Sequence, residues 1–332
     1  MCFKNKYNNY KILVITITMV LSLVIFTGCN REKQKDENYL SIKDITYTSA
    51  VLEKNSNIYI YDKSSSYLEP VGELSRFKEL TALSDDSKNI AFKYVDDQFR
   101  INIYNLESKE YRTLEIEDSG EISDIQWYGD LLAVGIYENP TTNKYLIYDS
   151  KSFELINSCK GILVDVLDEG KTLIYGVNTQ GVTSIYINDH KVYTLEKTGE
   201  VLLGGKVSSD KKEISFLTFA FNQGTLESKE YLYIGKLKNG NMDDLKILEK
   251  PYEIYGEIKY DGGNLVILNQ DDYTEVVDDE FTTKDLSEVN SSIKENTNKL
   301  KGILKDTFKS EAVDLNMSWT ELGVKNITWF IR

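Results

Sequence analysis

The sequence predicts an all-β protein, a single β-propeller built from four-stranded blades. The first observation behind this prediction is a polar turn that returns about every forty residues. Taking one residue of each turn as an equivalent point gives steps of 42, 41, 41 and 51 residues. Those equivalent points are Asp86, Tyr128, Glu169, Asp210 and Asp261. A repeat of this length matches one four-stranded propeller blade.

The second observation is a short apolar strand that begins at a fixed offset after each turn, as in Ile90-Ala91-Phe92 and Leu132-Ala133-Val134. A fixed offset indicates one repeated hairpin geometry. The strand that follows, such as residues 101–104, is rich in the β-branched and aromatic residues that suit a half-buried sheet. Residues 58–62 belong to the same series and add a blade at the front of the repeat.

Residues 84–92, with the sequence Ser-Asp-Asp-Ser-Lys-Asn-Ile-Ala-Phe, resemble the TolB-like propeller repeat. In that family the turn reads Ser-Pro-Asp-Gly-Lys before an Ile-Ala-Phe strand. Here the proline is missing from every copy, and the glycine remains in only some. The resemblance covers residues 45 to 280 and implies a propeller fold without naming a ligand, because propellers carry enzymes, binding modules and scaffolds alike.

The C-terminal part departs from the repeat. Apolar residues recur at helical spacing from Asp285, which predicts one amphipathic helix over about 285–306, inserted before the closing strands. Alternation over residues 313–319 predicts a strand, and residues 319–330 resemble one more turn and strand. The ring is expected to close through both chain ends, with residues 41–47 completing the last blade. Counting the strands after the turns gives seven blades, whereas counting complete repeats gives six.

The N-terminus predicts export and lipidation. Lys4, Lys6 and Lys11 precede an uncharged apolar run over residues 12–26, which is the pattern of a secretory signal. The run ends in Phe26-Thr27-Gly28-Cys29, which is similar to a bacterial lipobox, whose cysteine receives a lipid. An uncleaved membrane anchor is the alternative, but this run of 15 residues falls short of the roughly 20 needed to span a bilayer.

These features divide the chain into a lipoprotein signal peptide over residues 1–28, a polar tether over 29–39 and a propeller domain over 40–332. The predicted location is the extracytoplasmic face of the cell membrane, with the membrane as a partner through the Cys29 lipid. Of the three cysteines, Cys2 is lost with the signal and Cys29 carries the lipid. Cys159 is then left without a partner for an intramolecular disulfide.

The net charge argues against nucleic acid as a partner. The formal charge of −14 becomes −17 once the three lysines of the signal peptide are removed. Such a surface repels phosphate backbones, so we expect no binding of nucleic acid.

Motifs for catalysis are lacking in the sequence, and we expect no catalytic residue, cofactor or metal site. The single histidine, His190, falls in a predicted hairpin turn, which favours a solvated residue over a general base. The acidic residues between 271 and 280 lack the spacing of an EF-hand and indicate a solvated loop rather than a calcium site. With 53 aspartates and glutamates, a glycan hydrolase or lyase using a carboxylate pair remains the alternative function.

The predicted ligand surface is a ring of polar loops between the second and third strands of the blades, which gather on one face. Their amide and carboxylate groups suit hydroxyl-rich or cationic ligands. The predicted ligand-binding residues are Asp96, Asp97, Gln98, Glu138, Asn139, Asn178, Gln180, Asn222, Gln223, Asn269, Asp271 and Asp272. The alternative is that hairpin tips are polar in any protein.

The longest of these loops, residues 219–230, carries Phe219 and Phe221 and is expected to do more than turn the chain. The sequence therefore predicts a non-catalytic binding or interaction module whose partner is a protein or a glycan of the cell envelope.

We predict that Cys29 carries the lipid and becomes the first residue of the mature protein. The Cys29→Ala variant should keep its signal peptide and incorporate no labelled fatty acid, because the acceptor sulfur is gone. Membrane fractionation with fatty-acid labelling and mass measurement checks this. A parent protein that takes up no fatty acid, with a variant of unchanged size in the membrane, would show that the apolar run is an uncleaved anchor.

Overall fold

The computed structural model describes residues 41–332, apart from residues 140–141, 198, 223–226, 239, 252 and 309–316. The described residues form six antiparallel sheets of four strands each, which confirms the β-propeller and sets the number of blades at six. The predicted signal peptide, Cys29 and the predicted polar tether lie outside the described residues. No helix in the described part of the chain combines the length and apolarity needed to cross a bilayer.

Twenty-four described strands make up the blades. Blade 1 contains β1 (Ser49–Lys54), β2 (Asn57–Asp62), β3 (Glu69–Pro70) and β24 (Val324–Phe330). Blade 2 contains β4 (Lys78–Leu83), β5 (Asn89–Tyr94), β6 (Arg100–Asn105) and β7 (Tyr111–Glu115). Blade 3 contains β8 (Glu121–Tyr128), β9 (Leu131–Asn139), β10 (Thr142–Asp149) and β11 (Leu155–Lys160).

The other three blades follow in chain order. Blade 4 contains β12 (Ile162–Leu167), β13 (Thr172–Thr179), β14 (Val182–Ile187) and β15 (His190–Thr194). Blade 5 contains β16 (Glu200–Val207), β17 (Glu213–Asn222), β18 (Glu227–Lys238) and β19 (Asn241–Lys250). Blade 6 contains β20 (Glu257–Asp261), β21 (Asn264–Leu268), β22 (Asp272–Val277) and β23 (Glu280–Asp285).

We name the strands of each blade A to D from the centre of the ring outward, so that β24 is strand A of blade 1. The A strands of several neighbouring blades contact one another, as β12 contacts β16, and they line the central channel. Because successive strands alternate in direction, the A–B and C–D turns lie on one face of the ring, the A–B face. The B–C turns and the connections between blades lie on the opposite face, the B–C face.

Apolar cores fill the spaces between blades, and each B strand contributes to two of them. Ile90 and Phe92 of β5 pack with Ile58 and Ile60 of blade 1. Ala91, which points the other way, packs in the core between blades 2 and 3. The short apolar runs of the sequence are therefore B strands that are buried on both sides.

The repeated polar turn is a hydrogen-bonded A–B turn. In blade 2, the Ser84 hydroxyl accepts from the Asn89 backbone N–H at 2.9 Å and donates to the Asp86 carboxylate at 2.7 Å. Ser87 in this turn has a φ of 57°, in the left-handed region that favours glycine. This requirement accounts for the glycine at the same position of the TolB-like repeat.

The ring closes where β24 pairs with β1, with Leu52 opposite Ile327 and Ala50 opposite Trp329. Closure through both ends is confirmed, and it explains why counting strands gave seven blades. The strands counted separately at the two ends belong to one blade. The prediction that residues 41–47 complete this blade was wrong, because they form a 3-10 turn at Ile42–Asp44 and extended chain. Strands β1 to β3 complete it instead.

The predicted helix over 285–306 is confirmed as two helices, α1 (Leu286–Val289) and α2 (Ser291–Phe308), separated at Asn290. Ile293, Leu300 and Leu304 of α2 pack with Tyr61 of blade 1 and Tyr273 of blade 6. The helix thus fills the seam between the last blade and the first. The predicted strand over 313–319 lies largely outside the described residues, and residues 317–323 form bends and turns.

We predict that β24 is required for a folded ring. Deleting residues 324–332 should cause aggregation or abolish cooperative unfolding, because β1 would lose its partner strand and expose Ala50 and Leu52. Thermal unfolding followed by circular dichroism checks this. Deleting Arg332 alone is the control, with an expected cost below about 1 kcal/mol since only exposed polar contacts are lost. A soluble truncation with an unchanged transition would contradict the prediction.

Candidate binding face

The B–C turns lie on one face, as the strand order requires, so the predicted ligand residues share the B–C face of the ring. Asp96, Gln98, Glu138 and Gln180 are exposed there. Gln223 lies outside the described residues, as do the side chains of Asn139 and Asn222. Whether the exposed residues bind a ligand stays a prediction.

Several of the predicted residues shape their own turns. In blade 6, the Asn269 side-chain oxygen accepts from the backbone N–H groups of Asp271 and Asp272 at 2.7 and 2.6 Å, and its nitrogen donates to Asp272. Asn178 accepts from the Gly181 N–H at 3.1 Å and donates to the Thr183 hydroxyl. These amides are committed to the hairpins, which favours a structural role for them.

Asp271 belongs to the seam rather than to an open surface. Its carboxylate accepts a hydrogen bond from the Trp319 backbone N–H at 3.3 Å, and its backbone oxygen accepts from Leu286 at the start of α1. Burial raises the pKa of Asp271. The acidic residues over 271–280 also do not form one cluster, because β22, about 17 Å long, separates Asp271 from Asp278.

The prediction that residues 219–230 form a long loop was wrong. Strand β17 continues to Asn222 and β18 begins at Glu227, and Asn222 lies opposite Glu227, so the two strands pair as a tall hairpin. Strand β17 has ten residues where β5 has six, so it extends about 13 Å farther toward the B–C side. Phe221, near its end, is exposed.

A groove of about 370 Å³ lies beside this hairpin, lined by Ser228, Lys229, Glu230, Glu249, Lys250 and Pro251. Lys250 is buried at its base, with its ammonium 3.0 Å from the Glu230 carboxylate. The ammonium also donates to the backbone oxygens of Pro251 and Ile254 in the connection to blade 6. The buried lysine therefore holds this connection in place.

The sequence analysis missed the apolar component of the B–C face. Large apolar side chains that are exposed on this face are Leu74, Phe77, Val95, Phe99, Tyr137, Val182, Val201, Phe221 and Tyr255. No periodicity identifies them, because they occupy connections and strand ends. The sequence offers one signal, an aromatic residue directly before a strand. Phe77 precedes β4 and Phe99 precedes β6.

Five residues of two neighbouring segments on this face, the connection from blade 1 and the B–C turn of blade 2, make up what we call the blade 2 patch: Leu74, Arg76, Phe77, Val95 and Phe99. The four apolar side chains are 51%, 58%, 48% and 46% exposed, in chain order. The connection from blade 1 and the B–C turn of blade 2 are joined here, since the Val95 N–H donates to the Phe77 backbone oxygen at 3.0 Å. The patch thus contains the predicted site residues Asp96, Asp97 and Gln98 within its B–C turn.

Arg76 of this patch is held in a defined position. Its guanidinium stacks 3.7 Å from the centre of the Tyr94 ring and pairs with Asp96 at 2.9 Å. The hydrogen bond from Arg76 lowers the pKa of Asp96. Asp97 pairs with Arg100 at 2.8 Å. The patch therefore combines exposed apolar groups with charges already held in place.

Lys78, which is fully buried, supports the patch from below. Its ammonium donates to the backbone oxygens of Glu73 and Arg76 at 2.6 and 2.9 Å and to the Asn57 side chain at 3.0 Å. Desolvation lowers the pKa of Lys78. The three acceptors fix the connection that displays Leu74, Arg76 and Phe77.

A polar network lies on the A strands of blades 3 to 5. The Asp124 carboxylate accepts from the Ile125 N–H at 2.9 Å, the Gln126 amide at 2.6 Å and the Tyr145 hydroxyl at 2.8 Å. Burial raises the pKa of Asp124. Its oxygens are thus already satisfied by protein donors.

Asp165, at the corresponding place in blade 4, is also saturated. It accepts from the Lys206 ammonium at 2.9 Å and from the Val166 and Val207 N–H groups at 2.9 and 2.8 Å. The Lys206 ammonium also lies 4.6 Å from the centre of the Tyr128 ring. These contacts join three blades and favour a structural role for the carboxylate.

Two other residues singled out by the sequence are His190, on the A–B side, and Cys159, in a buried core. His190 is exposed as the first residue of β15, directly after the turn of Asn188 and Asp189. Cys159 is a buried free cysteine in β11, and burial raises the pKa of its thiol to about 12. Among the described residues, no group of three or more histidine, cysteine or acidic side chains is placed to hold a metal ion.

No protein-family model matches this chain. No curated protein matches it either. Similar solved structures include TolB from Acinetobacter baumannii, at 15% identity and a TM-score of 0.46, over 72% of this chain and 64% of that one. The chain therefore spans less than two thirds of that TolB chain.

Two further similar structures are the Dos1 propeller and the complex of KlAtg21 with the coiled-coil of AgAtg16. The Dos1 match has 9% identity and a TM-score of 0.43, over 75% of this chain and 71% of that one. The KlAtg21 match has 11% identity and a TM-score of 0.45, over 70% and 81%. At these levels the likeness concerns the fold alone, and the six blades are established by the strand pairing.

We predict that Lys78 is needed to hold the blade 2 patch. The Lys78→Met variant should be destabilised by about 2 kcal/mol, because three buried acceptors lose their donor. Trypsin should also cleave the Arg76–Phe77 bond faster, as mass spectrometry of timed digests would show.

Lys109→Met is the matched control for Lys78→Met, since it removes an exposed ion pair with Glu69 and should cost under about 1 kcal/mol. Equal stability and equal cleavage rates for the two variants would show that Lys78 does not support the connection.

Proposed function

We propose that this protein is a lipid-anchored, extracytoplasmic and non-catalytic binding module whose B–C face docks a protein partner. The blade 2 patch carries this proposal. Its four apolar side chains are about half exposed and lie in the same two joined segments as an arginine whose guanidinium is already positioned. Contiguous exposed apolar groups on a soluble domain mark interaction surfaces.

The composition of the patch favours a protein over a glycan. Phenylalanine and arginine are enriched in the energetically dominant centres of protein interfaces. Leu74 and Val95 offer no hydrogen bonds to sugar hydroxyls. A glycan that covered them would displace water without forming hydrogen bonds in its place. A protein partner with its own apolar side chains would bury both.

Preorganisation of the patch supports the same function. Lys78 fixes the connection below it, and Arg76 is held between Tyr94 and Asp96. Because these groups are ordered before binding, little additional entropy is lost when a partner docks. A rigid surface of this kind suits a partner that docks without rearranging the patch.

The charges on this face favour a partner with basic residues. The connections between blades on the B–C face present exposed glutamates at Glu73, Glu117, Glu196 and Glu253. A partner that carries basic residues around an apolar centre would complement them, and an acidic partner would be repelled.

Membrane anchoring in this proposal is supported by the sequence. The uncharged run over residues 12–26 and the Phe26-Thr27-Gly28-Cys29 motif resemble a lipoprotein signal, and residues 30–38 contain no apolar residue. A chain of this composition buries little surface and suits a tether.

The alternative, a glycan hydrolase or lyase, would need two carboxylates free to act on a substrate. Asp124 is the best candidate, because it lies on an A strand and burial raises its pKa. Its three hydrogen bonds to protein donors, and the three of Asp165, favour a structural role instead.

We predict that the partner docks on the blade 2 patch in intact cells. Replacing Phe99 by the photo-crosslinking residue p-benzoylphenylalanine should give one discrete protein adduct after irradiation, because Phe99 lies within the interface. The same replacement at Tyr67 is the matched control, since Tyr67 is an exposed aromatic residue on the A–B face. Immunoblotting and mass spectrometry would identify the adduct.

A second variant, Arg76→Ala in the Phe99-substituted protein, should reduce the adduct at least tenfold while leaving the melting temperature within a few degrees. Equal adducts at positions 99 and 67, or none at 99, would contradict docking on this patch. Turnover of an envelope polysaccharide by purified protein, abolished by Asp124→Asn, would support the enzyme instead.

A further inference from the structure

The described chain enters the propeller on the A–B face. Residues 41–48, which we call the seam segment, run from blade 6 to blade 1. At one end, the Ser41 hydroxyl donates to Asp261 at 2.9 Å, and Asp261 directly precedes the A–B turn of blade 6. At the other end, the Thr48 N–H donates at 3.2 Å to the backbone oxygen of Phe330, where β24 ends on the same face.

Buried polar side chains hold the seam segment in place. Asp261 also accepts from the Ile42 N–H and from the Tyr273 hydroxyl, both at 2.6 Å. Asn290 donates to the backbone oxygens of Ile42 and Ile45 at 2.6 and 2.8 Å.

The later part of the segment is bound to α2. Asn296 donates to the Tyr47 oxygen at 2.9 Å, and the Tyr47 N–H donates to the Ser292 hydroxyl at 2.9 Å. Asp261, Asn290 and Asn296 are almost fully buried. Their satisfied hydrogen bonds fix the point at which the chain joins the ring.

We infer that the A–B face is turned toward the membrane and that the B–C face is turned away from it, open to a partner. This inference rests on the proposed membrane anchoring. Ser41 follows Cys29 by 12 residues, from 41 − 29. Such a segment reaches at most about 40 Å when extended, and about 20 Å on average as a flexible coil. A domain attached through one face by so short a segment keeps that face nearest to the anchor.

The orientation can be tested without native lipidation. Residues 1–29 are replaced by a decahistidine peptide, and the protein is bound to vesicles of phosphatidylglycerol, phosphatidylethanolamine and nickel-chelating lipid. Lys171→Cys and Thr179→Cys carry a fluorescent donor at opposite ends of β13, about 26 Å apart. Cys159 is buried and remains unlabelled. Energy transfer to an acceptor lipid in the outer leaflet is then measured.

Transfer should be clearly higher from position 171 than from position 179, and the pair Lys88→Cys and Gln98→Cys in blade 2 should repeat the difference. Inserting thirty glycine and serine residues before Ser41 should reduce the difference in both pairs. Equal transfer at the two ends, or higher transfer from 179 and 98, would overturn the inference. The histidine anchor replaces Cys29, so this experiment does not depend on native lipidation. Whether Cys29 carries a lipid is tested only by the Cys29→Ala experiment.

Discussion

The pairing of β24 with β1 is the constraint on which the rest of the structure depends. Blades 2 to 6 each form from one continuous stretch of chain, whereas blade 1 takes its inner strand from the far end. Val51 and Phe330 meet in the core between blades 1 and 2, so the same pairing also completes that core. Without it, the ring would end in two open edges and two incomplete apolar surfaces.

The seam beside this pair is built differently from the other interblade spaces. Helix α2 fills it, and the apolar contacts of Leu300 and Leu304 are joined by the buried amides of Asn290 and Asn296. Apolar packing alone tolerates sliding, but a buried amide is satisfied in only one arrangement. The seam therefore fixes where the chain joins the ring, and the proposed orientation of the two faces relative to the membrane depends on this attachment point.

On the B–C face, lysines hold the connections between blades through backbone oxygens. Lys78 binds the connection into blade 2, Lys250 binds the one into blade 6, and Lys54 donates to the Leu322 oxygen before β24. An ammonium group offers three donors and satisfies several carbonyl groups at once. Irregular connections become rigid in this way, and such rigidity lets the blade 2 patch present apolar side chains without collapse.

The sequence by itself determined the propeller, its four-stranded blades and the helix before the closing strand, because each follows from local periodicity. The A–B turns could be predicted because their hydrogen bonds are local. Ser84 bonds with Asp86 and with Asn89, which is five residues further along the chain. Only the tertiary structure decided that β1 and β24 share a blade, that Ser41 and Ile42 bind Asp261, and that residues 219–222 pair with residues 227–230. The reason is that these pairings join residues far apart in the chain, or depend on where strands end. The blade 2 patch has the same origin, because the Val95 N–H reaches the Phe77 backbone oxygen only once the connection from blade 1 and the B–C turn of blade 2 are brought together.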